Sequence, residues 1–226
     1  SQAAQAGYRH CLRCRPESAP DSPAWKGTSA TVQRALQLMR QGALNDGSLA
    51  KLAERLGVGE RYLRKLFQRE LGVSPQAVAL NQRLLFAKKL LAETSLPITE
   101  VAFAAGFGSV RRFNSAVRTH FKLTPGQLRG RRGAGSSQRG ISLQLHYRPP
   151  YDWQAISNFF RRHAIAGVET MTAEYYQRNL LLPGGPATFQ VRPKPGAHAL
   201  QLDLQLPDHS LLMPVVARIR RMFDLD

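Results

Sequence analysis

The sequence repeats one pattern, and that repeat limits what the chain can fold into. Leu49, Leu52, Ala53 and Leu56 lead into Gly57-Val58-Gly59, followed by Leu63, Phe67 and Leu71 and then Val73-Ser74-Pro75. Further on, Ile98, Val101, Ala102 and Ala105 lead into Gly106-Phe107-Gly108, followed by Phe113, Val117 and Phe121 and then Leu123-Thr124-Pro125. Self-similarity of this kind means two supersecondary units of the same type. In each unit apolar residues at helical spacing stop at a Gly-x-Gly turn and a second helix follows, which is the layout of a helix-turn-helix.

The helical reading extends around the repeat. Pro16, Pro20, Pro23 and Gly27 make residues 1–27 a turn-rich tail and linker. Thr28 or Ser29 is expected to cap a helix over 30–41, with Val32, Ala35, Leu36 and Met39 on its apolar side. Ser48 is expected to cap a helix over 49–56, and 60–71 is the first candidate reading helix. Pro75 suits a first helical turn and opens a long helix to about residue 94. Its Val78, Leu84, Leu85, Leu90 and Leu91 are expected to pack on both units. At ~1.5 Å per residue such a helix spans roughly 28 Å. Two reading helices carried on it suit major-groove faces one turn, about 34 Å, apart. The second unit runs from residue 97 to about 128.

Beyond it the period changes. Residues 131–140, rich in Gly, Ser and Arg, read as a linker. Residues 141–147 alternate strictly, which predicts a strand with one buried face, ended by Pro149-Pro150. A helix is predicted over 153–165, with Ile156, Phe159, Phe160 and Ala164 on one side. Strands are predicted over 168–172, 175–182, 187–192 and 198–204, with a turn at Gly184-Gly185-Pro186. Ser210 is expected to cap a last amphipathic helix through residue 223. The fold class is therefore multidomain: an all-α double helix-turn-helix domain over 28–130, then a small α+β domain with a mostly antiparallel sheet over 141–226.

The chain carries a formal net charge of +17, and residues 26–132 hold 19 Lys+Arg against 6 Asp+Glu. Positive charge gathered on the repeat is the electrostatic footprint of a nucleic-acid binder. No run of eighteen or more apolar residues is present, so no membrane partner is expected. No apolar segment of secretory type follows the N-terminus. Cys11 and Cys14 are the only cysteines, which favours a reducing compartment; the expected location is the bacterial cytoplasm, on the nucleoid. A start at Ser1, a Cys-x-x-Cys close behind it and an end at Leu225-Asp226 suggest a piece of a longer protein.

With Leu63, Leu66, Phe67 and Leu71 facing the core of the first unit, Arg61, Arg64, Lys65 and Gln68 point outward. With Phe113, Val117 and Phe121 inward in the second, Val110, Arg111, Asn114, Ser115 and Arg118 point outward. Arg111 aligns with Arg61, Asn114 with Arg64 and Ser115 with Lys65 once one inserted residue in the turn is allowed. Arg and Lys suit guanine O6 and N7 in the major groove, Asn suits adenine, and Val110 suits a thymine methyl. Double-stranded DNA is thus the expected partner.

Ala104-Ala105-Gly106-Phe107-x-Ser109, then Phe113, then Phe121-Lys122-x-Thr124-Pro125-x2-Leu128-Arg129, resembles the signature of AraC-type transcriptional regulators over about residues 30–130. Leu128 departs from it, standing where the family usually has an aromatic residue. The resemblance implies seven helices, two helix-turn-helix units joined by a long helix, and sequence-specific duplex binding. It implies base-reading roles for Arg61, Arg64, Lys65, Val110, Arg111 and Ser115, and RNA polymerase as a protein partner. The chain is expected to be a monomer.

The flanks narrow the resemblance. Gly7-Tyr8-Arg9-His10-Cys11-Leu12-Arg13-Cys14-Arg15-Pro16 resembles the end of the zinc module of Ada-type alkylation-response regulators. That likeness implies that Cys11 and Cys14 are the structural half of a four-thiolate zinc site. The other two ligands, including the methyl acceptor, are absent, and two thiolates do not close a tetrahedral site. Pro149-Pro150-Tyr151-Asp152-Trp153, Gly167-Val168-Glu169, Tyr175-Tyr176 and Met222-Phe223-Asp224-Leu225 resemble the N-terminal domain of AlkA-type 3-methyladenine DNA glycosylases over about 141–226.

Together these likenesses imply the middle of an Ada–AlkA fusion: a regulator of the alkylation response in a parent that is also a DNA glycosylase with a methylphosphotriester methyltransferase module. No catalytic residue is assigned here. Excision of a flipped base needs an aromatic pocket with a carboxylate, whereas Tyr151, Trp153, Phe159 and Phe160 are spaced as core. Asp224 and Asp226 sit at the domain junction. The alternative is an AraC-type activator whose C-terminal domain senses a small molecule, with a ligand pocket in 141–226. A catalytic Cys11-x-x-Cys14 thiol would need a strand and a helix around it, and neither is predicted.

Overall fold

The computed structural model describes residues 28–45, 47–129 and 140–225. Cys11, Cys14, the tail over 1–27 and the linker arginines lie outside them. The described residues form two compact parts, one ending at Ala79 and the other beginning at Leu80.

The first part holds α1 (Thr28–Arg40), α2 (Leu49–Arg55), α3 (Glu60–Leu71) and the start of α4 (Pro75–Glu93). Ser48 caps α2 as expected, its Oγ accepting from the Lys51 N–H at 3.3 Å. Helix α1 takes in Thr28 and Ser29 and ends at Arg40 instead of starting at Ala30. Val32, Ala35, Met39, Leu52, Leu63 and Phe67 close the core, with Ala79 of α4. Leu71, expected inside, is 41% exposed. It is the last residue of α3, and Gly72 turns the chain away with a left-handed φ of 70°.

The second part continues α4 into α5 (Ile98–Ala104), α6 (Val110–Phe121) and α7 (Pro125–Arg129). Thr124 and Gln127 form a reciprocal capping box at α7: the Gln127 N–H donates to Thr124 Oγ1 at 3.2 Å, and the Thr124 N–H donates to Gln127 Oε1 at 2.8 Å. Leu84, Leu90 and Leu91 are buried, but Leu85 is 55% exposed. Helix α4 is apolar on several sides, so spacing alone did not identify the side left to solvent.

A five-stranded, wholly antiparallel sheet follows, in the order β1 (Ile141–His146), β5 (Ala199–Gln205), β4 (Gly185–Pro193), β3 (Tyr176–Leu182), β2 (Glu169–Met171). Alternation puts Ile141, Leu143 and Leu145 on the buried face, opposite Leu204, Leu202 and Leu200 of β5. The other face carries Ser142, Gln144, Gln201, Asp203, Thr188 and Gln190, which follow the same alternation. Gly185 and Pro186 belong to β4, so the turn falls one residue earlier than expected.

Two helices cover the apolar face: α8 (Trp153–His163), capped by Asp152, and α9 (Leu212–Met222). Phe223 joins them. Its ring lies 5.2 Å from Phe160 and 5.6 Å from Tyr176, and its carbonyl accepts from the Tyr151 hydroxyl at 2.9 Å. Phe159, expected in the core, is 59% exposed. The inward row is Trp153, Ile156, Ser157 and Phe160. Ser157 is tolerated there because its hydroxyl donates to the Trp153 carbonyl at 2.7 Å. Ala164 lies past the end of α8 and is exposed. Asp208, not Ser210, caps the closing segment: its carboxylate accepts from the Ser210 N–H at 2.8 Å and starts a short 3-10 turn (His209–Leu211) before α9. A hydrogen bond from the Ser210 hydroxyl at 2.6 Å, together with that from the Ser210 N–H, holds the Asp208 carboxyl below the usual carboxylate range.

Strand β1 is an edge strand, and α4 covers its free side. Glu93 accepts from the Gln144 N–H at 2.8 Å, Lys89 donates to the Gln144 carbonyl, and Lys89 and Glu93 pair at 2.6 Å. No helix among the described residues is long and apolar enough to cross a membrane.

Glu93→Ala leaves the Gln144 N–H without its acceptor and the half-buried Lys89 ammonium with the Gln144 carbonyl alone. The expected loss is ~1–3 kcal/mol of stability, read as a lower urea midpoint at unchanged m-value.

Candidate DNA-binding surface

Each candidate reading helix is held by the same three devices: a left-handed glycine in the preceding turn, a buried face, and a left-handed residue after its last turn. Gly57 has a φ of 69° before α3, and Gly106 a φ of 80° before α6. In the second turn Ser109 caps α6, its Oγ accepting from the Arg112 N–H at 3.3 Å, whereas Gly59 at the start of α3 offers no side chain. Arg83 of α4 fixes the second turn from behind. It donates to the Gly106 carbonyl at 3.3 Å and lies 5.3 Å from the centre of the Phe107 ring. Burial lowers the pKa of its guanidinium.

On α3, Leu63, Leu66 and Phe67 are buried and Arg61, Arg64, Lys65 and Gln68 are exposed, as the spacing predicts. Their partners differ. Arg64 pairs with Glu60 one turn back. Gln68 turns to the end of its own helix, donating to the Gly72 carbonyl at 3.1 Å. Arg61 and Lys65 have no ion pair or hydrogen bond among the described residues. An exposed i,i+4 pair is worth ~0.3–0.5 kcal/mol, so the Glu60 contact holds Arg64 only weakly.

On α6, Phe113 and Val117 are buried, and Arg111, Ser115 and Arg118 are exposed without a partner among the described residues. Asn114 is half-buried. Val110, expected outward, is partly buried: an apolar residue at the first position of α6, it packs against the cluster that includes Phe107 and Phe113. This leaves part of its side chain for a methyl contact.

Tyr62 and Arg112 are among the outward residues that the sequence reading does not name. Tyr62 is 47% exposed beside Arg61, and Arg112 occupies the equivalent place beside Arg111. Helical periodicity contains the signal, since neither position falls on the apolar stripe; Tyr62 is hidden from a polarity count by its ring. No group of three or more His, Cys, Asp or Glu side chains suited to a metal ion occurs among the described residues.

Residues 52–131 match the helix-turn-helix domain family and residues 142–226 match the AlkA N-terminal domain family. Over 225 residues the chain is 39% identical to the probable bifunctional transcriptional activator/DNA repair enzyme AlkA of Mycobacterium tuberculosis, covering 97% of this chain and 45% of that protein. Over 98 residues it is 33% identical to the HTH-type transcriptional regulator ExsA of Pseudomonas aeruginosa, covering 43% of this chain and 35% of that one. The C-terminal domain of AraT, a response regulator from Geobacillus stearothermophilus, aligns with 49% of this chain and 93% of its own at 30% identity and a TM-score of 0.45. The chain thus spans about half the length of the mycobacterial protein, 45%.

Gly57→Ala tests the turn without a steric clash, because a Cβ there meets nothing within 4 Å. Left-handed strain alone is expected to cost ~1–2 kcal/mol, measured by denaturant unfolding followed in the first part.

Proposed function

We propose that this chain, an AraC-type helix-turn-helix regulator that continues into an AlkA N-terminal domain, reads duplex DNA within a longer protein that activates transcription and repairs alkylated DNA. One observation carries the reading: two helices of the same build, each anchored by a buried apolar face, present Arg61, Lys65, Arg111 and Arg118, which have no ion pair or hydrogen bond among the described residues. Arg61, Arg64 and Lys65 are assigned to bases met by α3. Val110, Arg111, Asn114, Ser115 and Arg118 are assigned to those met by α6. Arg61 and Arg111 hold equivalent places and suit the guanine edge.

The supporting likeness is to a relative named both as an activator and as a repair enzyme. The longer protein's glycosylase chemistry is assigned to residues outside this chain, which by itself binds and does not excise. Cys11 and Cys14 are assigned two places in a four-thiolate zinc site completed elsewhere in the longer protein, beside its methyltransferase module. RNA polymerase is the proposed partner of the activator, the chain is proposed to act as a monomer, and the bacterial cytoplasm is its proposed location.

Fluorescence anisotropy tests the reading with a duplex selected from a random library and an unselected one, at two salt concentrations. The expected preference is ~10³ or more for the selected duplex, with affinity falling steeply with salt. Equal, weak binding to both refutes sequence reading. Arg111→Ala is expected to weaken the selected duplex by ~1–3 kcal/mol and leave the unselected one unchanged; equal losses on both would remove Arg111 from the base-reading set.

A further inference from the structure

The two helix-turn-helix units repeat in sequence but differ in how their cores are closed. The first has its own cluster, built from α1, α2, α3 and the first turn of α4 around Leu52, Leu63 and Phe67. The second does not close alone. Leu90, Val101 and Phe113 belong to one continuous apolar cluster with Leu143, Leu202 and Phe223 of the sheet domain. Polar ties cross the same junction. Glu93 and Lys89 grip the Gln144 backbone, and His209 Nδ1 lies 2.8 Å from Glu100 Oε2, joining α5 to the 3-10 turn. The junction uses α4 and α5; Arg111, Ser115 and Arg118 on the outward side of α6 take no part in it.

We propose that the second helix-turn-helix unit and the AlkA-type domain form one cooperative folding unit, while the first helix-turn-helix unit is a separate one. A shared buried cluster gives this result, because opening either side exposes apolar surface belonging to the other, and cooperative units follow such contacts. The stability of the second reading helix then depends on the AlkA-type domain, and anything that binds one side stabilises the other, reciprocally. The consequence for DNA rests on the proposed reading of α6; the folding unit itself does not.

Hydrogen exchange followed by mass spectrometry on the whole chain tests this, with Leu202→Ala as the probe. Leu202 is fully buried in β5, far in sequence from either reading helix. The expected result is faster exchange, ~10-fold or more, in β5 and α6 together, with α3 unchanged. Faster exchange in β5 with α6 unchanged overturns the proposal, as does an equal rise in α3. Should Leu202→Ala unfold the sheet outright, α6 must lose protection with it while α3 keeps its own; a protected α6 again overturns it. Glu93→Gln, which weakens a tie without touching the core, is expected to loosen β1 and α6 together by a smaller factor.

Adding the selected duplex to the unmodified chain is expected to slow exchange in β1 and β5 as well as in the reading helices. Slowing confined to α3 and α6 overturns the coupling. If no duplex binds, the DNA reading fails, and the Leu202→Ala comparison still decides the folding unit.

Discussion

The free edge of β1 needs a partner, and α4 supplies one. An exposed strand edge is a row of unpaired amides and carbonyls that invites pairing with another chain. Here Glu93 and Lys89, one turn apart on a helix, present an acceptor and a donor to the N–H and carbonyl of the single residue Gln144. A backbone-like pairing is thus made by two side chains. Much else depends on that contact. It sets β1 beside the helix that also backs α5 and α6, and it lets the apolar face of the sheet and that of the second helix-turn-helix merge into one core.

The proposed reading surface follows a different logic. Its side chains are positioned by what lies beneath them, not by bonds among themselves. Phe67 and Phe113 fix the rotation of their helices, and each outward residue takes its place from that rotation. Among the described residues the one ion pair on the candidate set, Arg64 with Glu60, is largely exposed, and its worth of a few tenths of a kcal/mol is small beside the ~1–3 kcal/mol of a good bidentate base contact. A duplex bound as proposed would therefore displace Glu60 from Arg64 at little cost.

Periodicity was enough to read α3 to the residue, and it brought α4, the strands and the two-helix cover within a residue or two. Those elements have one apolar face and clear stops, such as Gly57, Gly72 and Pro75. The misplacements have a common cause. Leu85, Leu71 and Phe159 are apolar residues whose surroundings are set by neighbours distant in sequence or by the end of a helix, neither of which a local pattern contains. Asp208 displaced Ser210 as the cap because a 3-10 turn precedes α9 and shifts the start of the segment. The Gln144 clamp was invisible for a related reason. Nothing about Lys89 and Glu93 marks them apart from an ordinary exposed pair until the strand is beside them. The outward cations were legible because a reading helix needs no long-range contact to present them.

The carboxyl ends of α3 and α6 show how two copies of one unit can diverge without changing shape. In both copies the chain leaves the helix through a left-handed residue, Gly72 at a φ of 70° and Lys122 at 57°. Glycine adopts that conformation freely, whereas a lysine pays ~1–2 kcal/mol of backbone strain. Lysine also places a cation where helix carbonyls point outward, which recovers ~0.3–1 kcal/mol. The first copy is therefore relaxed at this joint, with Arg69 the cation of its last turn, and the second is strained and carries a cation on the joint itself. A history of substitution can move the second copy toward the first through a single relaxing change, while the opposite step is uphill; the repeat is symmetric in shape and one-directional in its accessible mutations.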